Sequence, residues 1–167
     1  MTTDNSRTFF VTFRTYGTWM RGERAGWRPG GEKHGQPPAP TCASILAHDR
    51  EQMKHERFYL DSAHSAIVIS SVSRLCERRG WKLVAIAVTR THVHCLLVAS
   101  AQRNQVLGDM KAFATRGLRA AGAIAEDRPP WSRGGSVVSV RGADEVESVV
   151  RYIRDEHDGG MSRVADA

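Results

Sequence analysis

Long apolar runs and paired cysteines are both missing from this sequence. No run reaches the roughly 20 residues that cross a bilayer, and the first ten residues, "MTTDNSRTFF", lack the apolar stretch of a secretory signal. The cysteines are three in number, Cys42, Cys76 and Cys95, and no two of them form a CxxC pair. An odd count without that spacing is typical of reduced thiols. We therefore expect a cytoplasmic protein that is neither exported nor inserted into a membrane.

Acidic residues are also in the minority, with 18 Asp and Glu against 24 Lys and Arg and a formal net charge of +6. The basic excess is concentrated in residues 103–141, which carry seven basic and three acidic side chains. Residues 142–160 reverse this balance, with six acidic residues and two arginines. A basic segment of this kind predicts contact with a polyanion such as nucleic acid, although a merely solvated surface would give the same composition.

The length of 167 residues suits one domain spanning residues 1–167. One stretch interrupts its patterned segments: a loop rich in Gly, Pro and Arg at about residues 20–41, which has no hydrophobic periodicity. Trp19 and Trp27 lie beside and within this loop. Their large apolar rings favour packing of the loop against the body over stacking on nucleic-acid bases.

Hydrophobic periodicity predicts strands and helices in alternation. Period-two runs predict a strand over residues 8–16, a central hairpin from "WKLVAIAVTR" and "HVHCLLVA", a late strand at "SVVSV" and an edge strand at "ERFYL". Helical periodicity predicts helices over 43–54, from an N-cap at Asp61 to Gly80, over 101–122 and over 143–157, the last with a capping box of Asp144 and Glu147. The order predicts an α+β protein with a ferredoxin-like split βαβ fold, an antiparallel sheet with helices on one face and an extra C-terminal helix.

The hairpin carries the first candidate functional residues, His92 and His94. Residues i and i+2 of a strand point to the same face about 7 Å apart, so the two imidazoles can converge on one cation. A histidine-triad hydrolase would need a third alternate histidine, where this chain has Leu96. A TIM-barrel hydrolase would need roughly 250 residues. An isolated HxH pair is more often structural, and other residues must therefore support a metal site.

The last predicted helix supplies such residues. Tyr152 and Glu156 are four apart and share one helical face, and either Glu156 or the adjacent His157 could complete a site of two histidines and one further ligand. The phenol of tyrosine has an ordinary pKa of about 10 and is a poor nucleophile at neutral pH. A divalent cation that withdraws charge from a phosphodiester would allow Tyr152 to attack it.

The pair "HVH" and a single late-helix tyrosine resembles the HUH single-strand DNA transposases, and the REP-associated tyrosine transposases in particular. The segments "FRTYGTWM", "MKAFATRGLR" and "WSRGGS" resemble that group too, so the similarity extends over nearly the whole chain. It implies that His92 and His94 bind Mg²⁺ or Mn²⁺, that Tyr152 is the nucleophile and that Glu156 replaces the usual Gln or Asn ligand, unless His157 takes that place. It further implies a homodimer that binds single-stranded DNA with hairpins through its basic surface. The basic residues proposed for this contact are Lys111, Arg116, Arg119, Arg133 and Arg141.

Two other functions agree with the same residues. The chain could be a non-catalytic, domesticated nucleic-acid-binding relative with an idle tyrosine, or a metal-dependent hydrolase that uses water and leaves Tyr152 structural. The leading hypothesis is a metal-dependent single-strand DNA endonuclease and strand transferase that acts through a 5′-phosphotyrosine intermediate.

Overall fold

The computed structural model describes residues 6–23, 40–155 and 161–164. Most of the loop predicted at about residues 20–41, including Trp27, lies outside these ranges. Within them, none of the helices is both long and apolar enough to cross a membrane.

Within the described ranges, five strands form one antiparallel sheet with the order β4-β1-β3-β2-β5. They are β1 Arg7–Arg14, β2 Lys82–Val88, β3 His92–Ala99, β4 Ser136–Val140 and β5 Met161–Val164. Four helices of the same ranges accompany them: α1 Ala43–Glu51, α2 Ser62–Arg79, α3 Arg103–Ala120 and α4 Ala143–Asp155. Helix α2 connects β1 to β2 and helix α3 connects β3 to β4, which confirms the predicted split βαβ arrangement and the α+β class.

The two faces of the sheet have separate apolar clusters, because successive strand residues point to opposite sides. Phe9, Val11 and Phe13 of β1 pack with α2 and α3 in the larger cluster. The smaller cluster contains Ala85, Ala87, Leu96 and Val140 of the sheet together with Ile153 of α4. The extra C-terminal helix α4 therefore covers the face opposite to α2 and α3.

Helix α2 has the boundaries that its sequence predicts. The Asp61 carboxylate accepts a hydrogen bond from the His64 backbone N–H at 2.8 Å, and the His64 side chain accepts from the Asp61 N–H at 3.3 Å. This reciprocal pair satisfies two backbone donors of the first turn. At the other end Gly80 has φ +65°, a left-handed conformation that glycine adopts without a Cβ penalty and that ends the helix.

Three details differ from the prediction. Residues 56–60, "ERFYL", form no strand, because the backbone N–H groups of Phe58 and Leu60 donate to the separate carbonyls of Tyr16 and Arg90. Helix α4 begins at Ala143, one residue before the predicted N-cap Asp144. The side chain that accepts from the Arg141 N–H, at 2.7 Å, is that of Glu145. The sheet also gains β5, four residues that pair with β2 and carry too short a pattern to be predicted.

Candidate active site

His92 and His94 point to the α4 face of β3, as their spacing predicts. Both side chains are nearly buried, and their ring centroids are 4.5 Å apart. Val93 between them points to the other face and is fully buried in the larger apolar cluster. The apolar residue thus anchors the strand in the core while its two neighbours stay together on the opposite side.

Threonine hydroxyls hold the Nδ1 atom of each imidazole. Thr12 Oγ1 lies 2.9 Å from His94 Nδ1, because Thr12 of β1 is the direct cross-strand partner of His94. The Oγ1 atoms of Thr89 and Thr91 each lie 3.0 Å from His92 Nδ1. A hydroxyl that accepts from Nδ1–H fixes the tautomer with its lone pair on Nε2, which is the form that coordinates a cation. The two histidines therefore have the support typical of metal ligands.

Tyr152 reaches the histidines from helix α4. Its ring centroid is 5.3 Å from that of His94, and Phe10 of β1 contacts both rings, at 5.5 Å from His94 and 6.0 Å from Tyr152. The phenol side chain nevertheless remains 48% exposed. It is therefore oriented by aromatic neighbours while it stays accessible to a large substrate.

The sequence of β2 explains why α4 can lie so close to the sheet. Ala85 and Ala87 face α4, and Ala87 is the cross-strand partner of His94. Their small side chains leave space over the histidines, and Ile153, fully buried, packs α4 onto this part of the sheet. Because Ile153 points into the core, the adjacent Tyr152 must lie at the margin of the buried face of α4.

The third ligand predicted by the sequence, Glu156 or His157, lies outside the described residues. In residues 6–23, 40–155 and 161–164 no group of three or more His, Cys, Asp or Glu side chains is arranged to bind a metal ion. The described part of the site therefore supplies two imidazoles and a phenol, a donor set that fits a divalent cation only with further oxygen or nitrogen ligands.

The five predicted DNA-binding residues do not form one surface. Lys111, Arg119 and Arg133 line a common cavity near the end of β1. Arg116 lies on the outer face of α3, with its guanidinium 4.4 Å from the Phe113 ring centroid. Arg141 is at another end of the sheet, where it lines a smaller cavity with Arg7 and Arg103.

Lys111 has a structural role in addition to any contact with DNA. Its ammonium group donates to the carbonyls of Ser132 and Gly134, at 2.7 Å each. Burial lowers its pKa from the ordinary lysine value. Two of the three ammonium protons are thus used to hold the loop before β4 against α3.

Sequence reasoning placed the two histidines and the tyrosine in one candidate site but did not include their neighbours Phe10, Thr12, Thr89 and Thr91. Phe10 and Thr12 lie on the side of β1 that faces away from the larger apolar cluster. This alternation in "FFVTF" is a signal that was present in the sequence. Their proximity to His94 depends on the pairing register of β1 with β3, which no local pattern specifies.

No curated protein matches this chain. Among solved structures, one of a REP-associated tyrosine transposase bound to a REP hairpin matches 88% of this chain with 14% sequence identity and a TM-score of 0.47. This chain covers 64% of the length of that protein's chain.

The family comparison is more direct. The model of the IS200-like transposases matches residues 48–156, which is more than half of the sequence. The matched range includes both site histidines and Tyr152. The chain therefore belongs to the IS200-like transposase family.

Proposed function

We propose that the protein is a metal-dependent nuclease and strand transferase for single-stranded DNA, with Tyr152 as the nucleophile. The observation that carries this proposal is the juxtaposition of an accessible phenol, 5.3 Å from the His94 ring, with two imidazoles whose Nδ1 atoms are held by threonines. Family membership supports DNA as the substrate.

His92 and His94 would hold Mg²⁺ or Mn²⁺ through Nε2, together with Glu156 or His157. The ion would withdraw charge from the scissile phosphate and so favour attack by a phenolic oxygen. Because Thr12 and Thr89 orient the imidazoles, the two ligands need little rearrangement on binding.

The reaction itself is a transfer to tyrosine. The Tyr152 oxygen loses its proton and forms a bond to phosphorus, and the bond between phosphorus and the 3′-oxygen breaks. The 3′-oxygen leaves with a proton as a free hydroxyl, and the 5′ end remains bound as a phosphotyrosine. This ester conserves the energy needed to rejoin the strand when another 3′-hydroxyl attacks it.

The substrate we propose is single-stranded DNA that contains hairpins. The REP-associated transposase described above is bound to such a hairpin, and Arg116, Arg119, Arg133 and Arg141 would neutralise phosphates at separate points of a folded strand. We propose that residues 1–167 act as one domain in the cytoplasm, where thiols such as Cys42 remain reduced.

We further propose a homodimer, for which the position of β4 provides support. This strand lies at an edge of the sheet, where its Val138 is 49% exposed. An exposed edge with an apolar side chain can pair with a second copy. Sedimentation of the purified protein measures the oligomeric state, and a monomer at all concentrations would exclude this part of the proposal.

The decisive experiment compares Tyr152→Phe with the wild type. The protein is incubated with labelled hairpin-bearing single-stranded DNA and Mn²⁺ and analysed on a denaturing gel. We expect a protein-linked DNA band that requires Mn²⁺ in the wild type and is absent from Tyr152→Phe. Tyr59→Phe is the matched control, since Tyr59 is 39% exposed but lies under Arg90, and it should form the band normally.

The two alternative functions predict different results for cleavage and for DNA binding. Cleavage that persists in Tyr152→Phe without a linked band would identify a hydrolase that uses water. Tight DNA binding without cleavage at any metal concentration would identify a non-catalytic binding protein.

A further inference from the structure

A cavity of about 900 Å³ lies beyond the end of β1, between the turn that follows the strand, α1, α3 and the loop before β4. Its volume is within the range of about 300–1,000 Å³ that is typical of ligand sites. Three aromatic residues line it, Tyr16, Trp19 and Trp131. The histidines and Tyr152 are not part of this lining.

Two of the aromatic rings are fixed. The Trp131 indole N–H lies 3.0 Å from Thr115 Oγ1 and 3.2 Å from the Lys111 carbonyl, and its ring packs edge-on against Phe13. The Tyr16 hydroxyl accepts from the Lys54 backbone N–H at 3.1 Å. These contacts give the cavity rigid aromatic walls.

Trp19 differs from the other two. Its side chain is 41% exposed, and among the described residues none makes a hydrogen bond or a ring contact with its indole. Most of the loop that the sequence expects Trp19 to pack lies outside the described residues, and the exposed part of the indole leaves aromatic surface open at the cavity. Such a face is what a nucleic-acid base stacks on, since every base has a π surface.

The charges around the cavity favour an anion. Lys111, Arg119 and Arg133 contribute positive charge, and Arg133 is exposed. Among the described residues of the lining, the one that is acidic, Asp49, is paired with Arg21. The Arg21 Nε donates to it at 3.1 Å, and the guanidinium holds the pKa of that carboxyl below its ordinary value. Arg119 lies 3.7 Å from the Glu126 carboxylate, so its charge is partly neutralised, whereas Arg133 is exposed to solvent. The lining therefore combines open aromatic surface with a net positive charge, which are the two requirements of a nucleotide.

The cavity is joined to the histidine site by hydrogen bonds. Thr15, next to Tyr16, donates through its backbone N–H to the Thr91 carbonyl at 2.9 Å and accepts at its own carbonyl from the Ser132 hydroxyl at 2.8 Å. Thr91 in turn contacts His92 Nδ1. The turn after β1 thus connects the cavity, which α3 lines, with the histidines on the opposite face of the sheet.

We infer that the cavity binds one unpaired nucleotide of the DNA strand, with its base stacked on Trp19 and its phosphate beside Arg133. The inference rests on the proposed function for the identity of the polyanion, but the cavity makes no use of Tyr152 or of a metal ion.

The test measures affinity without catalysis. Fluorescence anisotropy of labelled oligo(dT) is recorded with EDTA present, so that no cleavage occurs. Trp19→Ala should weaken binding by roughly 5- to 160-fold, the range found when a stacking aromatic is removed. Tyr59→Ala is the matched control because the exposed fractions of the two rings are similar, and it should bind within a factor of two of the wild type.

Three further variants, one of them a control, distinguish base stacking and phosphate contact from a structural role. Trp19→Phe keeps an aromatic face and should recover most of the affinity. Arg133→Gln should weaken binding, whereas Arg74→Gln, which removes an exposed arginine of α2 outside the cavity, should not. Thermal unfolding of each variant checks that the protein is folded under the conditions of the titration, since more than half of the Trp19 and Tyr59 side chains is packed.

The outcomes distinguish this inference from the proposed function. Equal affinities of Trp19→Ala and Tyr59→Ala, or no binding of oligo(dT) by the wild type, would overturn the cavity inference even if the Tyr152 adduct forms. Binding that depends on Trp19 without any adduct would support the cavity and leave the proposed chemistry incorrect.

Discussion

Threonine hydroxyl groups orient the two site histidines. Thr12 contacts the Nδ1 atom of His94, and Thr89 and Thr91 contact that of His92, so the threonines engage the ring nitrogen other than Nε2 in both histidines. Thr12 lies on β1, about eighty positions before His94, so the contact depends on the sheet and not on neighbouring sequence.

Loss of the Thr12 hydroxyl should weaken metal binding. Thr12→Val keeps the shape of the side chain and removes its hydrogen bond, and we expect the affinity for Mn²⁺ to fall by about 10- to 100-fold, as for other supporting partners of metal-binding histidines. Calorimetric titration with Mn²⁺ measures this change. Thr8→Val on the same strand, opposite Val98, is the control and should leave the affinity unchanged. Equal affinities of the two variants would exclude a supporting role for Thr12.

The cysteines should differ in their reactivity. Burial raises the pKa of the Cys76 thiol to about 11 and that of Cys95 well above its ordinary value. Hydrogen bonding by the Ser44 hydroxyl, together with the Ile45 N–H, lowers the pKa of Cys42, which is partly exposed. Only the thiolate reacts, so at about pH 8 a disulfide reagent should modify one thiol rapidly, with the other two protected until the protein unfolds. The rapid phase should be absent from Cys42→Ser, and its persistence there would contradict this assignment.

At the level of helices and strands, the packing of α2 on α3 depends on one of two glycines in α3. A Cβ at Gly117 would clash with Ser71 Oγ and lie 3.3 Å from Ile67 Cγ2, whereas a Cβ at Gly108 would meet no atom within 4 Å. Gly117 is therefore needed for the close approach of the helices. Gly108 has no such function.

Alanine substitutions should consequently have opposite effects at the two positions. Gly108→Ala should stabilise the protein by about 0.5–1 kcal/mol because alanine favours the helix. Gly117→Ala should destabilise it by about 1–3 kcal/mol, the usual cost of overpacking. Urea unfolding of both variants gives the free energies. Stabilisation by Gly117→Ala would mean that α2 and α3 can separate without cost.

The same level shows what sequence patterns can and cannot specify. The hairpin and the helices α2 and α3 were predicted correctly because each buries one regular face. The "ERFYL" prediction was wrong, since alternation indicates a half-buried extended segment but not whether a neighbouring strand accepts its hydrogen bonds. His92, His94 and Tyr152 could be predicted as a group, whereas the threonines around them required the register of β1 with β3.

At the scale of the whole molecule, the net charge of +6 is divided among separate places. The cavity beyond β1, the arginines around Phe113 and the group of Arg7, Arg103 and Arg141 are distinct surfaces. The composition gives the basic excess directly. It could not indicate that the basic residues lie on three separate surfaces, because neighbouring residues of a helix point in different directions.

The salt dependence of DNA binding should therefore change with particular arginines. Each phosphate contact on a single strand contributes a slope of about −0.7 to the logarithm of the affinity against the logarithm of the salt concentration. Arg133→Gln should reduce the slope by about this amount. Arg151→Gln removes the same charge from a side chain already 3.1 Å from Glu147 and should leave the slope unchanged. Identical slopes for both variants would mean that total charge, and not a contact at Arg133, determines binding.

The alternation of His92, Val93 and His94 has a consequence for where this hairpin can be lengthened. One residue inserted between His92 and His94 would place the two imidazoles on opposite faces of the sheet, because successive strand residues alternate. One residue added to the β2–β3 turn can instead be absorbed there, since Val93 in the core and the pairing with β1 hold β3 in place. The insertion within the strand should therefore abolish binding of Mn²⁺ in a calorimetric titration, whereas the insertion in the turn should preserve it.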